Sequence, residues 1–211
     1  MVKFHHFIIS LFHHFIISLL IDGRTMKVGV LAVQGAFAEM TAYWRKKGAE
    51  TFEIRQLADL GRDIDLLALP GGESTVQGKL LKDLGLFDPL NERIVAGLPV
   101  FATCAGLILL AEKIDDPGRR DATRPEKWFG VLPVTVRRNA YGRQLGSFTT
   151  VGEWDGHPNT EMTFIRAPAI TAVANDVEVL STYANQPTSV RWRNITAFTW
   201  HPELQKQPSL D

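Results

Sequence analysis

The chain has 211 residues, which is enough for one well-buried domain and short for two. Its 23 lysines and arginines balance its 23 aspartates and glutamates, so the formal net charge at pH 7 is zero. A neutral balance gives no basic surface for nucleic acid or an anionic membrane, and we expect neither as a partner. The single cysteine excludes an internal disulfide and a metal site built from several cysteines.

Residues 1–25 are set apart from the rest of the chain by a repeat. The segment FHHFIISL at residues 4–11 recurs at residues 12–19, and this period fits neither a helix nor a strand. The apolar run is shorter than the roughly 20 residues that a membrane helix needs. The residues after it, LIDGRT at 20–25, do not offer the small-x-small pattern of a signal-peptide cleavage site. We therefore predict an N-terminal extension at residues 1–25 and a single domain at residues 26–211.

The first part of that domain alternates predicted strands and helices. Apolar segments bounded by turn residues predict four strands, at residues 26–33, 51–56, 64–69 and 99–102. Helical spacing predicts helices at residues 37–47, 89–96 and 107–113, and one more that begins at Ser74 as its N-cap. This alternation predicts an α/β fold: a single three-layer domain whose mostly parallel, mixed central sheet is flanked by helices.

The second part has a different character, with a polar loop predicted at residues 115–127. Short strands joined by turns are predicted after it, at residues 131–136, 161–165, 170–173, 177–183, 189–193 and 195–200. Ligand sites in such sheets form beyond the carboxyl ends of the strands. Three predicted loops lie at such ends, at residues 70–74, 103–106 and 201–204.

The only cysteine lies between a predicted strand and a predicted helix. Residues 101–106 read FATCAG, so Cys104 has small neighbours. This layout is typical of a nucleophile elbow, in which a tight turn raises the reactive side chain. The following helix N-terminus favours negative charge on the sulfur, and the amide of Ala105 would point toward a developing oxyanion. A buried strand-end cysteine is the alternative, and the flanking residues favour the nucleophile.

His201 and Glu203 can supply the base that a cysteine nucleophile needs. In an extended segment, residues i and i+2 lie on one side, so these two side chains can touch. The carboxylate would then fix the imidazole tautomer and stabilise the imidazolium. The other histidine after residue 25, His157, lies in a turn-rich segment, and we interpret it as a solvated loop residue.

A glycine-rich turn follows the predicted strand at residues 64–69. Its glycines allow backbone amides to approach a ligand, and Glu73 and Ser74 offer partners for an ammonium and a carboxylate. A glycine pair at a turn is as often structural as functional, so this segment alone decides nothing.

Several motifs together resemble one family, the glutaminase subunits of pyridoxal 5′-phosphate synthase, which are triad or class I glutamine amidotransferases. The resemblance covers residues 26 to about 204. GGES and the Cys–His–Glu set fit the wider superfamily of these amidotransferases. RRNAYGRQ and IRAP fit a much smaller group, and they carry the resemblance to the pyridoxal 5′-phosphate synthase subunits. The motifs are VGVLAVQGAFAE (28–39), LPGGEST (69–75), TCAGLILLA (103–111), VRRNAYGRQ (136–144), FIRAP (164–168) and HPEL (201–204).

The resemblance implies hydrolysis of L-glutamine to L-glutamate and ammonia, with Cys104 as nucleophile, His201 as base and Glu203 as its orienting acid. It implies an oxyanion site at the amides of Gly72 and Ala105. It also implies a glutamine pocket lined by Gly72, Glu73, Ser74, Arg138, Ile165 and Arg166. Gln34-Gly35 resembles the family's loop near the oxyanion site and the partner interface. The implied partner is a barrel-shaped synthase subunit that receives the ammonia, the implied location is the cytoplasm, and no metal or cofactor is implied.

The two arginines have a competing interpretation. A guanidinium can hold the α-carboxylate of glutamine by paired hydrogen bonds. Without the resemblance, surface salt bridges would be the preferred interpretation of Arg138 and Arg166.

The chain departs from the family at two places. Ala102 stands where the family usually has glycine, and an alanine forced to positive φ would cost about 1 kcal/mol or more. Residues 205–211 do not resemble the family's closing helix, so we expect an altered C-terminus. These departures leave open a catalytically impaired docking subunit. A separate alternative is another class I amidotransferase or a γ-glutamyl hydrolase, against which RRNAYGRQ and IRAP argue.

Overall fold

The computed structural model of the chain describes residues 24–116, 127–138, 140 and 146–205. The predicted extension lies outside the described residues, except for Arg24 and Thr25. The altered end predicted at residues 205–211 also lies outside them beyond Gln205, as does most of the loop predicted at residues 115–127.

The described part of the chain folds into twelve strands and four α-helices. The helices are α1 (Phe37–Lys46), α2 (Ser74–Asp83), α3 (Phe87–Val95) and α4 (Ala105–Leu110), and 3₁₀ turns lie at Leu57–Gly61 and Pro202–Leu204. The strands are β1 (Lys27–Leu31), β2 (Glu50–Ile54), β3 (Leu66–Leu69), β4 (Val100–Thr103), β5 (Ala111–Ile114), β6 (Leu132–Arg137), β7 (Ser147–Trp154), β8 (His157–Ile165), β9 (Ala169–Val173), β10 (Glu178–Tyr183), β11 (Gln186–Trp192) and β12 (Ile195–Phe198).

Seven of these strands form the central sheet, in the order β10-β11-β12-β4-β3-β1-β2. The five strands from β12 to β2 run parallel, and β10 and β11 add an antiparallel edge. Two small sheets lie beside it, one of β5, β6 and β9 and one hairpin of β7 and β8. The predicted α/β fold with a mostly parallel, mixed sheet is confirmed.

Strand β3 shows why these sequences form a buried sheet. All four of its residues are fully buried. Leu67 and Leu69 pack on one face of the sheet, with the apolar residues of α2, α3 and α4. Leu66 and Ala68 pack on the other face, with the core that α1 and the β7–β8 hairpin complete. A strand covered on both faces needs a continuous apolar run, which is the pattern read from the sequence.

The sequence-based boundaries were wrong at three places. The helix predicted at residues 107–113 ends at Leu110, and the chain continues as β5, which pairs with β6 in a small sheet. An unbroken apolar run carries no period, so it could not separate this short helix from the strand. Strand β7 was missed. His157 begins β8 instead of lying in a loop, although its side chain is exposed as expected.

Helix α2 lies against the core through a residue that has no side chain. Gly78 is fully inside the helix and faces the indole of Trp128, with which an added Cβ would overlap. Alanine normally stabilises a helix interior relative to glycine by about 1 kcal/mol. The close approach of Trp128 reverses that preference here.

We therefore expect Gly78→Ala to destabilise the protein by about 1–3 kcal/mol, despite the gain in helix propensity. Urea unfolding followed by circular dichroism measures this change. Lys79→Ala, at an exposed neighbouring position in the same helix, is the control and should change stability by less than about 0.5 kcal/mol. A Gly78→Ala variant that is more stable than the wild type would contradict the packing argument.

Candidate active site

Cys104 occupies a strained turn between β4 and α4. Its backbone has φ 49° and ψ −100°, a region that costs a non-glycine residue about 1–3 kcal/mol. The Cys104 amide donates to the carbonyl of Phe198 at 2.8 Å, which anchors the turn to β12. An added Cβ at Gly106 would overlap the Leu69 carbonyl, so the turn also packs tightly on β3. The local geometry is that of the predicted elbow.

The concern over Ala102 is removed by the structure. Ala102 lies within β4, where it pairs with Leu69 on one side and Ala197 on the other, and its φ is not positive. The positive φ falls at Cys104. An alanine at residue 102 therefore carries no conformational cost, and its fully buried methyl group belongs to the core.

His201 and Glu203 are brought together as predicted, although not by an extended segment. Pro202–Leu204 forms a 3₁₀ turn, and His201 Nδ1 lies 2.8 Å from Glu203 Oε1. The Thr103 hydroxyl donates to the same carboxylate oxygen at 3.1 Å. The side chain of Glu203 is completely buried and that of His201 is 6% exposed. A buried carboxylate is stable only with such partners.

The electrostatics of the site favour a protonated His201. Burial alone lowers the pKa of His201. The interaction with Cys104, together with the hydrogen bond and the charge of Glu203, outweighs burial and raises the pKa to about 10. An imidazolium beside Cys104 is suited to stabilise a thiolate. The pKa of the Tyr43 hydroxyl is also raised, mainly by burial and in addition by the negative charge of Glu203.

A cavity of about 320 Å³ opens in front of Cys104 and His201. The predicted site residues all line it except Glu203, which lies behind His201, and Ala105, which is fully buried. The cavity also has lining residues that the sequence analysis did not select, namely Ala36, Glu39, Gly71, Ile108 and Leu204. These come from segments far apart in the chain, and although they fall within the motifs quoted above, nothing local separates them from their neighbours in those motifs.

Arg138 is not a surface residue, which argues against the surface salt-bridge interpretation. Its side chain is 7% exposed, and its Nη1 donates to the Thr75 hydroxyl at 2.8 Å. Its Nε lies 3.7 Å from Oδ2 of Asp116, whose side chain is also largely buried. Arg166 is exposed, has φ 43°, and follows Ile165, whose carbonyl lies 3.8 Å from the Cys104 sulfur.

Two loops, which precede α1 and α2, form part of the cavity wall. The Gln34 side chain accepts from the amide of Glu73 at 2.8 Å, and the fully buried Gln77 donates to the Gln34 carbonyl at 2.9 Å. Gly71 packs directly on the His201 ring, where an added Cβ would overlap it. These bonds fix the glycine turn beside the imidazole.

Glu73, and not Ser74, is the N-cap of α2. Its carboxylate accepts from the amide of Thr75 at 3.1 Å, whereas Ser74 is the first helical residue and is buried. The predicted cap was therefore wrong by one residue. Both side chains still line the cavity.

Among the residues that the structure describes, no group of three or more histidine, cysteine, aspartate or glutamate side chains could hold a metal ion. Within the same residues, no helix has the length and apolar character required to cross a membrane.

Comparison with known proteins identifies close relatives. The pyridoxal 5′-phosphate synthase subunit PdxT of Desulfitobacterium hafniense (strain DSM 10664 / DCB-2) is 51% identical over 179 residues, which cover 85% of this chain and 86% of that protein. PdxT of Streptococcus pneumoniae (strain CGSP14) is 47% identical over 188 residues, or 88% of this chain and 93% of that protein.

The fold agrees with these sequence relations. A crystal structure described as a glutamine amidotransferase superposes with a TM-score of 0.76 at 38% identity, covering 84% of this chain and 91% of the other. The model of the SNO glutamine amidotransferase family matches residues 30–209, which include both loops that build the cavity and the whole Cys104–His201–Glu203 set. With most of its length matched and its nucleophile elbow in place, this chain belongs to the SNO glutamine amidotransferase family.

Proposed function

We propose that this chain hydrolyses L-glutamine to L-glutamate and ammonia through a thioester on Cys104, and that it supplies the ammonia to a synthase subunit for pyridoxal 5′-phosphate formation. One observation carries the proposal: a strained cysteine and a carboxylate-bound imidazolium face the same cavity as Arg138 and Arg166. The names of the PdxT relatives support the pathway. We place the reaction in the cytoplasm.

The first step is acylation of Cys104. The thiolate attacks the γ-carboxamide carbon, a carbon–sulfur bond forms, and the carbonyl oxygen becomes an oxyanion. Backbone amides at Gly72 and Ala105 stabilise that charge in our proposal. The His201 imidazolium then donates its proton to the amide nitrogen, the carbon–nitrogen bond breaks, and ammonia leaves.

The second step is hydrolysis of the γ-glutamyl thioester. His201, now neutral, takes a proton from water as the water oxygen attacks the thioester carbon. The carbon–sulfur bond breaks, glutamate forms, and the thiolate and imidazolium are restored. Glu203 holds the Nδ1 side of the ring during both steps, so that the other ring nitrogen faces the reacting atoms.

Substrate recognition in this proposal uses both signs of charge among the residues that line the cavity. Arg138 and Arg166 hold the α-carboxylate of glutamine, while Glu73 and Ser74 offer partners for its α-ammonium. Ile165 contributes its backbone next to Cys104. The alternative of an impaired docking subunit rested in part on Ala102, and the extended backbone of that residue removes this reason.

The first test separates catalysis from docking. Ammonia release from L-glutamine is measured with and without an added synthase subunit. Cys104→Ala should reduce the rate at least about a thousandfold, because no thioester can form. His201→Asn should have a similar effect, whereas His157→Asn, at an exposed position outside the cavity, should retain the wild-type rate. Equal rates for wild type and Cys104→Ala would refute the proposed function.

The second test uses the pKa of His201. Glu203 raises this pKa by its hydrogen bond and its charge, so Glu203→Gln should lower it. The imidazolium that protonates the leaving amide nitrogen is lost as pH rises through this pKa. The alkaline limb of kcat should therefore move to lower pH in Glu203→Gln, with kcat reduced by about 10²–10⁴-fold. Glu53→Gln, at an exposed ion pair with Arg55, should leave the profile unchanged. An unmoved limb in Glu203→Gln would contradict the assignment.

The third test concerns substrate binding. Arg138→Met should raise KM for L-glutamine by about tenfold or more, because a buried guanidinium that holds a carboxylate is removed, while kcat changes less. Steady-state kinetics of ammonia release measure both constants. Arg137→Met is the matched control, since its neighbouring and more exposed side chain pairs with Asp115. A similar KM for both variants would argue against a binding role of Arg138.

A further inference from the structure

Thr103 contacts the triad without reaching the cavity. It is the last residue of β4, directly precedes Cys104 and is fully buried. Its hydroxyl donates to Glu203 Oε1 at 3.1 Å, across 100 positions of the sequence. A buried hydroxyl costs free energy unless it is hydrogen-bonded, so this contact accounts for a polar group in an otherwise apolar strand.

The carboxylate of Glu203 depends on few partners. Its side chain has no exposed surface, and within the described residues its Oε2 has no hydrogen-bond partner. Oε1 receives both the His201 ring at 2.8 Å and the Thr103 hydroxyl at 3.1 Å. With the imidazole as its sole partner, the carboxylate could rotate about its own bond. The hydroxyl fixes the oxygen that meets the ring.

We infer that Thr103 is a positioning residue for the reaction: it orients the Glu203 carboxylate, which in turn aligns His201 with Cys104. This inference rests on the proposed glutaminase function. Strand β4 ends next to the nucleophile Cys104, and through Thr103 it also fixes Glu203, the acid that orients the base His201. Thr103 is not among the residues lining the cavity, so it acts through Glu203 and not on the substrate.

The test is Thr103→Val, which keeps the shape of the side chain and removes the hydroxyl. We expect kcat for glutamine hydrolysis, assayed with the synthase subunit present, to fall about tenfold with KM nearly unchanged, as for loss of one hydrogen bond to a charged group. Thr103→Ser retains the hydroxyl and should restore most of the activity. If Thr103→Val does not fold, Thr103→Ala provides the same comparison with Thr103→Ser.

The control is Thr188→Val. Thr188 is also fully buried and its hydroxyl lies 2.7 Å from that of Ser181, but it does not line the cavity. This variant should lower the melting temperature and leave kcat unchanged. In the Glu203→Gln background, Thr103→Val should have much less effect than alone, because both changes remove the same alignment.

The outcomes distinguish the two proposals. A wild-type chain that releases no ammonia from glutamine would overturn both. An active wild type together with an unaltered kcat in Thr103→Val would overturn the inference alone. Equal kcat losses in Thr103→Val and Thr103→Ser, or full additivity with Glu203→Gln, would also overturn it, since packing alone would then explain the effect.

Discussion

The site depends on one buried ion pair, between the His201 ring and the Glu203 carboxylate at 2.8 Å. Neither group has appreciable exposure, so water can stabilise neither charge. Each is stabilised by the other and by neighbours that the central sheet supplies, since β4 provides Thr103 and the elbow provides Cys104. The raised pKa of His201 follows from this arrangement, in which two negative partners outweigh the effect of burial.

The fold holds that pair by aligning the ends of parallel strands. Strands β3, β4 and β12 are neighbours in the sheet, so the glycine turn, the elbow and the histidine segment meet at one edge. Backbone hydrogen bonds fix two of these segments. The Cys104 amide donates to the Phe198 carbonyl of β12, and the His201 amide donates to the Thr163 carbonyl of β8 at 2.9 Å. The second bond brings the β7–β8 hairpin over the site, and with it Ile165 and Arg166. The separate β7–β8 hairpin thus completes a pocket that the parallel strands begin.

One of the strained backbone positions is the nucleophile itself. Cys104 adopts positive φ while the residues before it are ordinary strand, and this conformation persists because β3 and β12 pack the turn from both sides. Gly71 and Gly106 allow this packing, because a side chain at either would overlap the His201 ring or the Leu69 carbonyl. The residues around the elbow must therefore be small because neighbouring segments approach them closely, and not only because the turn requires it.

The sequence by itself determined the alternation of strands and helices, the elbow around Cys104 and the pairing of His201 with Glu203, because each is written in a short local pattern. It also marked the arginines, although only through the resemblance to a family. Only the tertiary structure showed that Arg138 is buried at the cavity, that Glu73 caps α2, and that Ala102 carries no strain. Thr103 and Gln77 had no local signal at all, since their hydrogen-bond partners lie 100 and 43 positions away. Local sequence records the period of an element, whereas contacts between distant elements exist only once the sheet has brought them together.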